Sequence, residues 1–264
     1  HALGQIVVAG APGMGGIMSL TGEIDGQPMK TAVAISDLMA GTYAAIAILA
    51  ALRHRDRTGQ GQQLDVSLLD CQVAWLSYQA QHYLTSGEPP PRLGNGHPTI
   101  VPYEVFHASD GYLILAVGND SQFEKFCALA GLPELSGDPR FATNRARVEN
   151  RELLIPKIRS ILKTRTVATW LSELERAGVP AGPVNHIDQV FKDAQVRHRQ
   201  MVCEMPHPLA PRPVRLVASP IKMESTPPAC RFAPPTLGQH TDEVLRECGL
   251  PESEIASLRK NGIV

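Results

Sequence analysis

One acidic side chain, Asp37, lies at the predicted start of a long helix, where backbone N–H groups can contact its carboxylate. It follows a short apolar segment, residues 32–35, and precedes a long run of small and apolar residues, Leu38–Leu52. The pattern predicts a helix from Asp37 to about Arg55, with Ser36 as its N-cap. A carboxylate at a helix N-terminus is stabilised by backbone N–H groups and by the helix dipole. The residues alone leave two roles open for Asp37, a helix-capping acid or a nucleophile presented at a strand-to-helix turn.

A second group of candidates lies in a turn-rich segment that follows three consecutive prolines. Around Asn95, the two glycines Gly94 and Gly96 permit a close backbone approach, so that the loop can cover a bound ligand and exclude water. His97 follows directly, and its imidazole is suited to hydrogen-bonding a substrate carboxylate. Each feature also has a structural alternative, an ordinary turn for the glycines and a packed histidine for His97.

The composition argues against several classes of protein. The 264 residues carry 25 Lys and Arg against 26 Asp and Glu, and no basic stripe indicates a nucleic-acid partner. Five scattered cysteines without metal-ligand spacing predict free thiols and no metal site. The apolar run at residues 38–52 is shorter than the roughly 20 residues that span a bilayer, so we expect no membrane partner. The first residues lack a secretory signal pattern, and we expect a cytoplasmic protein, or a mitochondrial-matrix protein in a eukaryote.

The elements that would position these candidates follow from hydrophobic periodicity. The helix that begins at Asp37 is apolar nearly all round, which predicts burial on most of its faces. Alternation predicts a strand at Gln63–Leu68, and helical spacing returns at Asp70–Leu84. The remaining predicted elements are two hairpin strands, three central helices, a short helix and two terminal helices: Tyr103–His107, Gly111–Val117, Ser121–Ala130, Asn150–Lys163, Val167–Ala177, Ile187–Phe191, Thr241–Cys248 and Glu252–Lys260.

Two proline-rich stretches, residues 88–92 and 206–235, predict extended connectors between compact parts of an α/β protein. We therefore divide the chain into part of a large α/β domain with the Asp37 helix, a linker with the glycine loop, a small α+β domain, a return linker, and C-terminal helices that pack on the large domain. These segments are residues 1–88, 89–102, 103–185, 186–236 and 237–264.

Short motifs along nearly the whole chain resemble one known family. Their order and spacing, rather than any single motif, carry the match: Gly16–Glu23, Ser36–Gly41, Arg57–Gln62, Ile100–Tyr103, Asp110–Tyr112, Phe141–Val148, Gly178–Asn185 and Leu237–Thr241. The family is the class III CoA-transferases, which includes formyl-CoA, carnitine and succinate–hydroxymethylglutarate CoA-transferases; alpha-methylacyl-CoA racemase shares their fold. His97 followed by Ile100–Tyr103 most resembles the succinate–hydroxymethylglutarate subgroup.

The resemblance implies both an architecture and a mechanism. The fold would combine part of a Rossmann-like large domain with a small α+β domain, in a homodimer. Asp37 matches the nucleophile of the transferases, and Gly94–Gly96 falls where their glycine-rich loop covers the active site. Leu68 matches a position that lines the CoA cleft, with a strand core residue as the alternative. The implied substrates are a coenzyme A thioester and a carboxylic acid acceptor, without a metal.

The chain also departs from the family pattern. Family members are longer, which implies that the N-terminal part of the large domain lies outside this sequence. About ten residues before the Gly16–Glu23 motif, the family has Gly-Tyr-Asp in transferases or Gly-His-Asp in racemases, whereas this chain has Ile6, Val7 and Val8. Two alternatives to a CoA-transferase stay open, an acyl-CoA racemase or epimerase, disfavoured by the missing Gly-His-Asp, and a non-catalytic fragment or subunit that needs a partner chain.

Overall fold

The computed structural model describes residues 11–264, which form two compact units that divide after Val184. The position of Ile6, Val7 and Val8, where the family has its tyrosine or histidine motif, lies outside the described residues. The finer division into five segments stays a prediction.

Five helices precede the sheet of the first unit. In chain order they are α1 Ala11–Met14, α2 Ile17–Leu20, α3 Ile35–Thr58, α4 Leu68–Ala74 and α5 Ser77–Ser86. The predicted helix beginning at Asp37 is confirmed as α3, and Gly59 ends it with a φ of 76°, its N–H bonding the carbonyl of Arg55 at 2.7 Å. The predicted N-cap is wrong, because Ala34 occupies that position and Ser36 lies inside the first turn.

The burial predicted for α3 is also wrong within the described part of the chain. Leu38, Ile46 and Leu49 are 56%, 58% and 67% exposed. A helix that is apolar on all sides needs neighbours on all sides, and the described residues supply α4 along one side. With 24 residues, α3 is long and apolar enough to cross a membrane. The prediction that this apolar segment is too short to span a bilayer is therefore wrong. Buried helices of soluble proteins meet the same criterion of length and composition.

The region after α3 differs from the predicted strand and single helix. Residues 60–67 are not in a strand, because no strand of the described chain pairs with them. Leu68 is instead the first residue of α4, and the Ser67 hydroxyl accepts a hydrogen bond from the N–H of Asp70 at this helix start. The predicted helix Asp70–Leu84 breaks between α4 and α5, where Ser77 adopts a φ of 50°.

A three-stranded antiparallel sheet and five helices complete the first unit. The strands are β1 Tyr103–His107, β2 Tyr112–Ala116 and β3 Ala181–Pro183, in the order β1-β2-β3, with His107 opposite Tyr112 and Leu113 opposite Pro183. The helices are α6 Asp120–Ala130, α7 Pro133–Gly137, α8 Asn144–Glu149, α9 Arg151–Leu162 and α10 Val167–Ala177. The predicted hairpin and the three predicted central helices are confirmed.

The sheet and these helices share one hydrophobic core. Its largest fully buried apolar side chains are Phe106, Leu113, Leu115, Phe123, Phe126, Phe141, Leu154, Ile158, Leu162, Trp170 and Leu174. The Trp170 indole N–H donates to the carbonyl of Leu162 at 2.8 Å, so α9 and α10 are joined inside this core. The result is a compact α+β body that holds the segment before β1 in place.

The second unit contains short elements joined by extended chain. They are α11 Ile187–Val190, α12 Ala194–His198, β4 Val202–Met205, β5 Val214–Val217, α13 Thr241–Glu247 and α14 Glu252–Lys260. β4 and β5 pair antiparallel, and residues 218–235 contain neither helix nor strand, as the many prolines predict. The predicted terminal helices are confirmed.

Candidate active site

Asp37 lies in the first turn of α3 and is partly exposed. Its carboxylate accepts no side-chain hydrogen bond and forms no ion pair with any residue between 11 and 264. A capping acid would accept a hydrogen bond from a backbone N–H of its own helix. Within the described chain, the Asp37 carboxylate is therefore an accessible anion at the positive end of a 24-residue helix.

The turn that carries Asp37 is fixed to α4 by one buried hydrogen bond. The Ser36 hydroxyl donates to Oε1 of Gln72 over 2.7 Å, and both residues are 1% exposed. Gly15 packs against the same side chain, since a β-carbon at Gly15 would stand 2.3 Å from Cγ of Gln72. The hydrogen bond holds the residue directly before Asp37 against a closely packed part of α4.

The glycine loop is held at both ends by arginines. Arg92 donates to the carbonyl of Gly26 before the loop, and Arg151, the first residue of α9, donates to the carbonyl of His97 after it. Gly94 adopts a φ of 59°, a conformation that favours glycine. At Gly96, a β-carbon would approach a guanidinium nitrogen of Arg151 to 3.1 Å. Glycine thus follows from backbone conformation at Gly94, and at Gly96 from the Leu93 carbonyl oxygen, which would lie 3.2 Å from a β-carbon.

Two further side chains fix the chain between the loop and β1. The Asn144 amide donates to the carbonyl of Thr99 at 2.8 Å and accepts from the N–H of Val101 at 3.1 Å. The fully buried Arg147 donates to the carbonyl of Val101 at 2.7 Å and to Asp120 at 2.9 Å, and burial lowers the pKa of its guanidinium. Both residues belong to the Phe141–Val148 motif, whose role here is to support the loop.

His97 is held as a neutral hydrogen-bond donor. The N–H of Thr99 donates to its Nδ1 at 3.2 Å, which leaves the ring proton on Nε2. Burial, and then the nearby charge of Arg151, lower the pKa of His97 below its usual 6.5. The imidazole stacks with Tyr103 at a centroid distance of 5.2 Å and with Tyr78 at 6.0 Å. These contacts fix both the orientation and the protonation of the ring.

His97 lines two adjoining cavities. The smaller, of about 300 Å³, is lined by Gly94, Asn95, Gly96 and His97, together with residues of α2 and α5. The larger, of about 570 Å³, lies between α5, the loop and the start of α9, with Arg151 in its wall. Their size suits a small ligand.

The structure thus brings together the four predicted loop residues, Gly94, Asn95, Gly96 and His97, but Asp37 and Leu68 line neither cavity. Sequence reasoning missed Arg151, which is sequence-distant from the loop and carries no motif of its own. Its signal was its place in the first turn of the helix predicted at Asn150–Lys163. Among residues 11–264, no group of three or more His, Cys, Asp or Glu side chains is placed to hold a metal ion.

Comparison with known proteins decides the family. The sequence model described as CoA-transferase family III matches residues 8–241. The chain belongs to this family. It is 45% identical over 240 residues to a succinate–glutarate CoA-transferase of Agrobacterium fabrum, covering 89% of this chain, and 39% identical over 270 residues to a succinyl-CoA:glutarate CoA-transferase of Mus musculus, covering all of it.

The fold of a class III CoA-transferase is shown by a solved structure as well. A CaiB/BaiF family protein from Brucella suis superimposes with a TM-score of 0.77 at 43% identity, over 90% of this chain and 61% of that one. The family resemblance inferred from the sequence motifs is therefore confirmed. The chain spans 58% and 60% of the lengths of the Agrobacterium and mouse relatives.

Proposed function

We propose that this protein is a CoA-transferase that moves coenzyme A between short dicarboxylic acids, with Asp37 as the covalent nucleophile. One observation carries the proposal: the Asp37 carboxylate stands at the N-terminus of α3 without a hydrogen bond or ion pair among the described residues. Its relatives in Agrobacterium and mouse are named for transfer between succinate and glutarate, which supports the substrate class.

The proposed reaction begins with attack on the acyl-CoA thioester. A carboxylate oxygen of Asp37 bonds to the thioester carbonyl carbon, the C–S bond breaks, and CoA leaves as a thiolate. The thiolate then attacks the Asp37 carboxyl carbon of the mixed anhydride, which forms an aspartyl-CoA thioester and releases the donor acid. The acceptor carboxylate attacks this thioester in the same way, and a second thiolate transfer gives the new acyl-CoA and free Asp37.

The position of Asp37 suits this chemistry. The helix dipole favours the ionised carboxylate, and the free N–H groups of the first turn are donors for the oxyanion that forms during each attack. The Ser36–Gln72 hydrogen bond keeps that turn in one conformation. We assign the Gly94–Gly96 loop the task of covering the intermediates, because an exposed anhydride would hydrolyse.

Trapping the intermediate tests the proposal. After incubation of the protein with succinyl-CoA and then hydroxylamine, we expect an aspartyl hydroxamate at Asp37, located by peptide mass spectrometry. Asp37→Asn should abolish it. Asp70, which lies in the first turn of α4, is the matched control for an acid at a helix start, and Asp70→Asn should leave the label in place.

Other outcomes would favour the alternatives. Exchange of the α-proton of an acyl-CoA with deuterated water, without CoA transfer, would indicate a racemase. The absence of both labelling and CoA binding would indicate a chain that needs a partner. The family resemblance also supports a homodimer, in the cytoplasm or a mitochondrial matrix, and we include both in the proposal; sedimentation velocity and cell fractionation test them.

A further inference from the structure

The larger cavity beside His97 has the composition of a carboxylate-binding pocket. Most of its wall is apolar, and its polar and charged side chains include Gln79, His82, His97 and Arg151. Among the residues that the structure describes, no Asp or Glu lines it. The lining residues are Tyr78, Gln79, His82, Pro90, Pro91, Leu93, His97, Pro98, Thr99, Val148 and Arg151. A short hydrocarbon chain that ends in one negative charge complements such a wall.

Arg151 supplies a positive charge that no acid of the described chain balances. One of its terminal nitrogens donates to the backbone carbonyls of His97 and Pro98, which are neutral acceptors. The Glu104 carboxylate, which like Arg151 lies near Gly96, forms its ion pair with Arg159 at 2.9 Å. The N–H groups on Nε and Nη1 of Arg151 have no hydrogen-bond partner in the described chain and are available for an anion, and a hydrogen bond from a guanidinium to a carboxylate is strengthened by both charges.

His97 adds a second donor on the same wall. Because its Nδ1 accepts from the N–H of Thr99, the neutral ring carries its proton on Nε2. Stacking on Tyr103 and Tyr78 limits rotation of the ring. A cation and a fixed N–H donor in one apolar cavity form the pair of contacts that distinguishes a carboxylate from a methyl group.

We infer that Arg151 and His97 bind the far carboxylate of the dicarboxylic acid, the one that does not react. They are thus specificity-determining residues, and the apolar wall takes up the methylene groups. This inference rests on the proposed function, which supplies the reacting carboxylate. The observed hydrogen bonds of Arg151 are to backbone carbonyls of the loop. The inference adds a second role for Arg151, the binding of a ligand in the larger cavity.

The test compares glutarate with pentanoate, which has the same chain length and lacks the second carboxylate. With succinyl-CoA as the common donor, we expect Arg151→Met to lower the glutarate-to-pentanoate ratio of kcat/KM by about 10- to 100-fold, the range for losing a hydrogen bond to a charged group. Using one donor cancels any effect on the donor step. Arg151→Lys keeps the charge and should restore part of the ratio.

Arg151→Met also removes the hydrogen bond that holds the glycine loop. The glutarate-to-pentanoate ratio of kcat/KM separates this structural effect from the loss of a carboxylate contact. If Arg151→Met lowers transfer to glutarate and pentanoate in proportion, Arg151 only supports the loop and the inference is overturned. His97→Phe keeps a stacked ring and removes the Nε2–H, so it should lower the same ratio without changing the arginine. If His97→Phe has the same ratio as the unmodified protein, His97 does not bind the far carboxylate.

A binding measurement keeps this inference separate from the proposed mechanism. Glutarate added to the protein, without any CoA ester, should shift the NMR resonance of the His97 ring Cε1–H, and Arg151→Met should abolish the shift. If this occurs while Asp37 is not labelled by succinyl-CoA, the mechanism fails and the pocket stands. If Asp37 is labelled and glutarate leaves His97 unshifted, the pocket assignment fails alone. Lys157→Met, an exposed position on α9, is the control.

Discussion

His97 is a residue whose charge state is set by its neighbours rather than by its own chemistry. Burial and Arg151 both disfavour the imidazolium, and the Thr99 N–H occupies the nitrogen that protonation would need. Since the folded state binds this proton more weakly than the unfolded chain, protonation of His97 opposes folding, and the stability that depends on it falls as the pH drops below 6.5.

A titration of the His97 ring by NMR checks this account. We expect its pKa to lie below 6.5 in the unmodified protein and to rise in Arg151→Met, because the substitution removes a positive charge near the ring. Lys157→Met should leave the titration unchanged. A His97 pKa that does not move when Arg151 is neutralised would show that burial alone sets it.

Two cysteines of the second unit are placed to react with each other. Sγ of Cys230 donates to Sγ of Cys203 at 2.8 Å, and this contact raises the pKa of the Cys203 thiol. The exposed Cys230 is therefore the expected first nucleophile toward a disulfide reagent, and Cys203 then displaces the reagent's second thiol. Cys71 and Cys127 are buried, and Cys248 has no thiol neighbour among the described residues.

Treatment with oxidised glutathione tests this reactivity. The two thiols should become one disulfide with release of two molecules of glutathione, linking the tryptic peptides that span residues 200–215 and 223–231. In Cys203→Ser, Cys230 should keep a bound glutathione. Stable glutathione on Cys230 in the unmodified protein, without the cross-link, would contradict the placement. Cys248→Ser is the matched control.

At the scale of elements, one buried hydrogen bond joins α3 to α4. Ser36→Ala leaves Oε1 of Gln72 without its donor, and an unsatisfied buried polar group costs about 1 to 3 kcal/mol. We expect urea denaturation to show this loss in the free energy of unfolding. The double variant Ser36→Ala, Gln72→Met removes both polar partners and should be more stable than Ser36→Ala alone. Additive losses would show that the two side chains are energetically independent.

The elements also show where periodicity predicts structure and where it does not. The helices α6, α9 and α10 were predictable, because each has an apolar stripe that meets the core and a recognisable end. The strand predicted at Gln63–Leu68 was not correct, since alternation gives an extended chain but a strand also needs a hydrogen-bonded neighbour. The break before α5 depends on the backbone of Ser77, which periodicity does not encode.

The candidate site was predictable only in part, for the same reason. Asp37 and the glycine loop carry local signals, a helix start and two glycines beside a histidine. The group that fixes the loop, Arg151, is more than fifty residues away and reaches it through tertiary packing. Sequence spacing therefore located the chemical groups, whereas the contacts that orient them required the folded chain.

At the scale of the whole molecule, the exposed apolar surface of α3 is expected to affect behaviour in solution. Its exposed residues include Leu38, Ile46, Ile48 and Leu49, which lie along about three turns of one helix. Contiguous apolar surface of this kind drives association with other apolar surfaces. The 264-residue chain by itself should therefore bind the dye ANS strongly and associate in a concentration-dependent way.

Charge substitution on this surface tests the expectation. Leu49→Glu, or Ile46→Glu together with Leu49→Glu, should reduce ANS fluorescence and shift sedimentation velocity toward the monomer, because a carboxylate disfavours burial in an apolar contact. Leu84→Glu is the matched control, since Leu84 is 74% exposed near the end of α5, outside the α3 surface, and should change neither measurement. If Leu84→Glu reduced association as much as Leu49→Glu, net charge rather than the α3 surface would govern it. If no variant changed association, the α3 surface would already be covered in solution.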